Sequence, residues 1–280
     1  MRLILTIALV FSGVVIRAED LRTLAEFPFQ YREGLLWAQV KVPQSPEPLS
    51  FLLDSGANVS VIHLATAKRL GLKLGERVSV RWVQATTEGY WPQRLAAKAG
   101  DVKLPRNYLA MDLSALGRAC DVRLDGLLGA DFFRQHLVQI DFSTQKVRLL
   151  KSGQPPLQGE VLPLETRRCG LRIPIRVNGG EAQWVRLDTG CATPLQWVTS
   201  RVDPKNCMPQ MAVALTQLSI PTTQVQVQIG STRFESVAAG LHEQPIFAGE
   251  SGLLGNGLLS RFKVVTIDCK ANRIMLQKAP

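Results

Sequence analysis

The chain has 280 residues, 46% hydrophobic and 20% charged, with ordinary amounts of Gly (22) and Pro (16). That balance excludes a disordered chain and collagen-like or low-complexity material, and the length allows one large domain or two of middling size. The net charge of +10 is spread along the chain, +3 over 19–150 (17 basic, 14 acidic) and +5 over 151–280 (14 and 9), which argues against a nucleic-acid-binding stripe.

The chain opens with Met1-Arg2, an apolar stretch over 3–16 and then Arg17-Ala18. A basic start, an apolar segment and a small residue at the cut describe a secretory signal peptide over 1–18, so the body is expected to be exported, periplasmic or secreted. An uncleaved leader acting as a membrane anchor is the alternative. No later apolar stretch approaches the roughly 20 residues of a spanning helix, so no membrane span is expected after leader removal. Export permits disulfides among the five cysteines, and Cys191 with Cys207, the closest pair in sequence, is the first candidate for a bridge.

From residue 19 onward the chain is written twice. An extended segment over 36–42 leads to Phe51-Leu-Leu-Asp54-Ser55-Gly56-Ala57. A second, over 171–177, alternates apolar and polar residues as a half-buried strand does and leads to Val185-Arg-Leu-Asp188-Thr189-Gly190-Cys191. Each is followed by a closing motif, Asp125-Gly-Leu-Leu-Gly129 and Ser251-Gly-Leu-Leu-Gly255, at 72 and 64 positions from Asp to the first Gly. A duplication into two lobes, 19–150 and 160–280, follows, with the Pro- and Gly-rich 151–159 as linker. Alternating runs over 77–83 and 223–229 read as strands, and 63–70 as a helix closed by Gly71. A second short helix is expected over 131–136. The protein is therefore expected to be mainly β.

One Asp-Ser/Thr-Gly tripeptide is an ordinary turn. Two, each ending an apolar strand and each answered by Gly-Leu-Leu-Gly, suggest symmetry. Duplicate lobes tend to meet about a pseudo-two-fold axis, which brings equivalent turns together. Two carboxylates held there cannot both ionise comfortably, so the pair can keep one proton, polarise a carbonyl and deprotonate a water. Ser55 and Thr189 supply hydroxyls to fix the turns, and Gly56 and Gly190 let backbone N–H groups approach.

On these motifs the sequence resembles the aspartic peptidases of the pepsin and retropepsin clan, and looks most like single-chain bacterial relatives with retropepsin-like lobes. The resemblance covers most of 34–150 and 169–276. It implies two acid-protease barrel lobes about a pseudo-two-fold axis. It also implies that Asp54 and Asp188 are the catalytic dyad, braced across the lobes by Ser55 and Thr189. It implies hydrolysis of a polypeptide held in the interlobe cleft by a monomer, with no cofactor and no metal. A β-hairpin flap over 78–95, its tip near 85–89, is implied to bring Gly89, Tyr90 and Trp91 to substrate, with a less distinct counterpart near 215–222 where Pro221 marks a turn. Departures are Ser55, where Thr is more common, and Cys191, where a small residue is usual. No pepsin-like prosegment is visible, and the basic balance predicts no strongly acidic optimum. An exported, non-catalytic peptide-binding protein on the same fold remains a rival, as does an unrelated β-sandwich in which the two Asp turns never meet.

Overall fold

The computed structural model describes residues 23–82, 85–152, 158–198, 208–213 and 217–278. The leader over 1–18, the heart of the linker and Cys207 lie outside the described residues. The first half runs β1 (Thr23–Pro28), β2 (Gln30–Arg32), β3 (Leu35–Val40), β4 (Leu49–Leu53), β5 (Val61–His63), α1 (Leu64–Arg69), β6 (Arg77–Trp82), β7 (Ala85–Tyr90), β8 (Lys98–Ala99), β9 (Val102–Lys103), β10 (Leu109–Met111), α2 (Ser114–Ala119), β11 (Gly126–Leu128), α3 (Ala130–Gln135), β12 (Leu137–Asp141) and β13 (Lys146–Leu150). The second runs β14 (Glu160–Pro163), β15 (Glu165–Arg167), β16 (Gly170–Val177), β17 (Gln183–Leu187), β18 (Leu195–Val198), β19 (Met208–Val213), β20 (Gln217–Ile229), β21 (Thr232–His242), β22 (Gly252–Leu254), α4 (Asn256–Leu259), β23 (Phe262–Asp268) and β24 (Arg273–Lys278).

The repeat in sequence becomes a repeat in topology. One eight-stranded sheet has the order β2-β3-β4-β11-β5-β10-β7-β6, and the other β15-β16-β17-β22-β18-β21-β20-β19. Position by position these are the same sheet. In each, the strand that ends in Asp (β4, β17) lies parallel to the Gly-Leu-Leu strand of its closing motif (β11, β22). Strands buried on both faces must be apolar throughout, which is why Leu52, Leu53, Leu127 and Leu128 show no polar alternation.

A six-stranded sheet, β1-β13-β12-β23-β24-β14, joins the halves. Its central pair is antiparallel, with Leu137 opposite Asp268, Gln139 opposite Thr266 and Asp141 opposite Val264. Asp141 and Asp268 are equivalent in the repeat, as are Gln139 and Thr266. Only Gln139 and Thr266 face their own equivalents, while the pairs on either side exchange partners symmetrically, so the pseudo-two-fold axis passes through the Gln139–Thr266 pair. A continuous apolar core, including Phe27, Phe51, Tyr108, Phe132, Leu187 and Trp197, runs through both lobes beneath the sheets.

The helix expected over 63–70 is α1, with Gly71 following at φ +69, and that expected over 131–136 is α3. Three expectations need correction. The first concerns the flap tip. Trp82 pairs with Ala85, so the hairpin of β6 and β7 turns at 83–84, outside the described residues, and 85–89 is the returning strand. Gly89 faces Val78 and also pairs with Met111, while Tyr90 pairs with Ala110 and packs against the core. Trp91, 39% exposed, follows with its N–H bonded to the Glu76 carbonyl. All three stand at the base of the hairpin, because four ladder pairs, from Ser79–Glu88 to Trp82–Ala85, lie beyond the Val78–Gly89 pair. The second concerns Pro221, which opens no turn but sits inside β20 opposite Pro209, in the hairpin that corresponds to the flap. The third is the proposed Cys191–Cys207 bridge, since Cys191 carries a free thiol whose sulfur lies 3.1 Å from the Thr193 hydroxyl of its own turn.

Candidate active site

Each Asp turn is placed by a strand end and fastened by its closing motif. The Asp54 N–H donates to the Leu128 carbonyl at 2.8 Å, and the Asp188 N–H to the Leu254 carbonyl at 2.9 Å. This is the physical sense of the two-part motif: the strand delivers the acid, and the parallel Gly-Leu-Leu strand binds the backbone at which the chain turns.

The turns then interlock across the lobes. The Ser55 hydroxyl donates to the Leu187 carbonyl at 2.7 Å and accepts the Thr189 N–H at 3.0 Å. The Thr189 hydroxyl donates to the Leu53 carbonyl at 2.9 Å and accepts the Ser55 N–H at 2.9 Å. Both residues are completely buried, so losing either hydroxyl would orphan the carbonyl and the N–H it serves. Ser55→Ala is expected to cost about 2–3 kcal/mol, since it strands both the Leu187 carbonyl and the Thr189 N–H. Ser55→Thr, which keeps the hydroxyl, is expected to cost less than about 1 kcal/mol. Urea unfolding midpoints of the two variants check the difference.

The glycines complete the fit. A Cβ on Gly56 would lie 2.4 Å from Cγ of Asp188, and one on Gly190 would lie 2.5 Å from Cγ of Asp54. Each acid is thus seated on the glycine of the other lobe. Oδ1 of Asp54 accepts the N–H groups of Gly56 (3.1 Å) and Ala57 (3.0 Å), and Oδ1 of Asp188 accepts that of Gly190 (2.9 Å). The two carboxyl groups are hydrogen-bonded to each other. So the structure brings together Asp54, Ser55, Gly56, Asp188, Thr189 and Gly190, and leaves Gly89, Tyr90 and Trp91 at the hairpin base.

Burial pushes both acids above the ordinary carboxylate range. For Asp188 the charge of Asp54 adds to burial, and the group rises to about 8. Asp54 is held lower by the Ala57 N–H, by the hydrogen bond from Asp188 and by the Gly56 N–H. The pair therefore titrates as a unit that shares one proton, and the two N–H donors on Asp54 against one on Asp188 favour the charge on Asp54. Chemically, that is an acid and a base side by side at one pH.

Three residues at the site were not singled out from the sequence. Buried Asn256, at the start of α4, donates from Nδ2 to the carbonyls of Thr189 (2.7 Å) and Gly34 (2.8 Å), tying the β2–β3 turn of the first lobe to the second Asp turn. Arg134 on α3 does the reciprocal work, donating to the carbonyls of Cys169, in the β15–β16 turn, and Asn58 (3.2 Å for the latter). The third is Arg186, two residues before Asp188. Its counterpart in the first copy, Leu52, is apolar, and a charge within the otherwise apolar run Trp184-Val-Arg-Leu187 was the available signal.

Residues 38–132, the greater part of the first lobe, match the family model described as Aspartyl protease. The chain is 27% identical over 179 residues to the "DNA damage-inducible protein 1" of two strains of Cryptococcus neoformans var. neoformans serotype D, JEC21 and B-3501A. These alignments cover 63% of this chain and 39% of the relatives, so the chain matches about two fifths of their length. These relatives are eukaryotic, whereas the motifs alone looked most like bacterial proteins. Family match, distant relatives and topology agree in what the chain is similar to: the aspartyl proteases, with a mainly β, twice-repeated architecture consistent with a retropepsin-like fold.

Proposed function

We propose that this protein is an aspartic endopeptidase whose dyad is Asp54 and Asp188. The observation that carries this reading is the pair itself: two buried acids, one from each lobe, hydrogen-bonded to each other and seated on glycines of the opposite turn. In the proposed cycle a water lies between the carboxyls and the scissile carbonyl. The Asp54 carboxylate takes a proton from the water as its oxygen attacks the carbonyl carbon, and Asp188 donates its proton to the carbonyl oxygen. The tetrahedral intermediate collapses when that oxygen returns its proton to the dyad and the leaving nitrogen takes the other. The C–N bond breaks, and acid and amine leave.

Both acids come from one chain, so a monomer suffices. The substrate would be an extended polypeptide in the interlobe cleft, its backbone pairing with the β6–β7 hairpin as an added strand. The leader over 1–18 supports action after export. The test is digestion of a mixed peptide library with products read by mass spectrometry. Internal cleavage by the wild type, lost in Asp54→Asn, is expected. Cleavage that persists in Asp54→Asn would overturn the assignment.

A further inference from the structure

Behind the dyad lies an ion pair that breaks the two-fold symmetry. Arg186, 2% exposed, donates from Nε and Nη2 to the two carboxylate oxygens of Glu250, both at 2.8 Å. Its Nη1 crosses to the other lobe and donates to the Gly56 carbonyl (2.8 Å) and to Oδ1 of Asn58 (3.0 Å), on the turn that carries Asp54. The ring of Phe247 covers the guanidinium at 3.5 Å, and Gly170 leaves room for it, since a Cβ there would lie 2.5 Å from Nη2. Four of the five guanidinium N–H groups are thereby engaged, in a geometry that an ammonium could not reproduce.

The first lobe shows that the fold does not require this pair. Asp54 and Asp188 differ by 134 positions, which places Leu52 where the second lobe has Arg186. Gly126 and Gly252 differ by 126, which places Leu124 where it has Glu250. Leu52 and Leu124 are buried in one apolar cluster. Replacing a buried ion pair by apolar residues of similar volume is often neutral or stabilising, and here the protein carries the apolar version in its other half. The ion pair therefore calls for a reason beyond packing.

We infer that Arg186, charge-balanced by Glu250, is a positioning residue that ties the Asp54 turn to the second lobe and supplies the positive field under which the two acids share one proton. The inference rests on the proteolytic reading for its consequence but not for its geometry. Among the described residues, the charged or titratable groups acting on the carboxyls are each other, Arg186 and, through it, Glu250. The neighbouring Cys191 thiol, pushed up to about 12 by burial and then by Asp188, stays neutral. Arg186 holds both acids lower than burial alone would.

The two halves of the pair should consequently act in opposite directions. Glu250→Gln leaves the guanidinium uncompensated, so the acid limb of the kcat/KM profile is expected to move to lower pH. The double variant Arg186→Leu/Glu250→Leu, which copies the first lobe, removes the cation without leaving a buried anion, so the limb is expected to move up by about one pH unit. Arg186→Lys keeps the charge but not the fork; it is expected to hold the limb in place while lowering kcat. The same variants with 13C-labelled aspartate, titrated by NMR, give the shifts without turnover. If the wild type cleaves nothing, proteolysis falls while the titration still judges this inference. Unmoved titrations, or shifts of one sign in both variants, would overturn it. A double variant that fails to fold would show the pair to be structural and overturn it too.

Discussion

Asp188→Asn is expected to abolish cleavage and to stabilise the fold at the same time. The loss follows from the proposed chemistry. Without a proton to give the carbonyl oxygen, the dyad keeps a base but no acid, and kcat/KM should fall by about 10³-fold or more. The gain follows from linkage. Asp188 is raised to about 8 in the folded protein from an ordinary 3.8. Between those values the folded chain binds more protons than the unfolded one, so stability declines as pH rises through that window. An Asn amide has no such proton to lose, and it can still donate to Asp54. The variant should therefore match the wild type near pH 4 and exceed it at pH 8 by roughly 1–3 kcal/mol, or a few degrees in Tm. Thermal unfolding at the two pH values, beside the peptide assay, checks both halves. A variant that cleaves within tenfold of wild type, or that is less stable at pH 8 than its parent, contradicts the assigned proton.

Gly190→Ala is expected to damage fold and activity together, because it drives a methyl group into the opposite acid. The added Cβ would lie 2.5 Å from Cγ and Oδ1 of Asp54. Asp54 cannot step aside without losing the Gly56 and Ala57 N–H bonds. The lobes must separate or the acid must leave its seat. We expect a cost of about 2–4 kcal/mol and a loss of activity of at least about 100-fold. Gly190 is not among the glycines with positive φ, so the penalty is one of contact and not of backbone conformation. Gly71 offers the converse control, with φ +69 and nothing within 4 Å of a Cβ. There Ala should cost only about 1 kcal/mol and leave cleavage unchanged. Denaturant unfolding and kcat/KM on both variants distinguish the cases. Equal behaviour of the two would mean that the turns do not meet as described.

The features legible in the sequence are those encoded within a few residues. An apolar run ending in Asp-Ser-Gly at 54–56 or Asp-Thr-Gly at 188–190 names a strand and its turn, because the strand must be buried on both faces and the turn needs small, hydrogen-bonding residues. The alternation over 171–177 emerged as β16 and that over 77–83 as β6. The flap was legible as a hairpin but not in its register. Nothing in the run from 78 to 95 marks 83–84 over 85–89 as the turn, since that choice depends on which residues meet β10. Pro221 was misread for a related reason. A proline usually punctuates a strand, and only the placement of β19 beside β20 shows that it lies opposite Pro209.

By itself the sequence determined that there are two similar lobes, where their strands end and which two acids stand at those ends. Only the tertiary structure decided that acids 134 positions apart meet as one buried pair, that burial raises both of them, and that Arg186 reaches past its own lobe to the Gly56 carbonyl. Turn and strand preferences are local properties of the chain. Desolvation, a shared proton and a buried ion pair depend on what lies across the interface, which no neighbouring residue specifies.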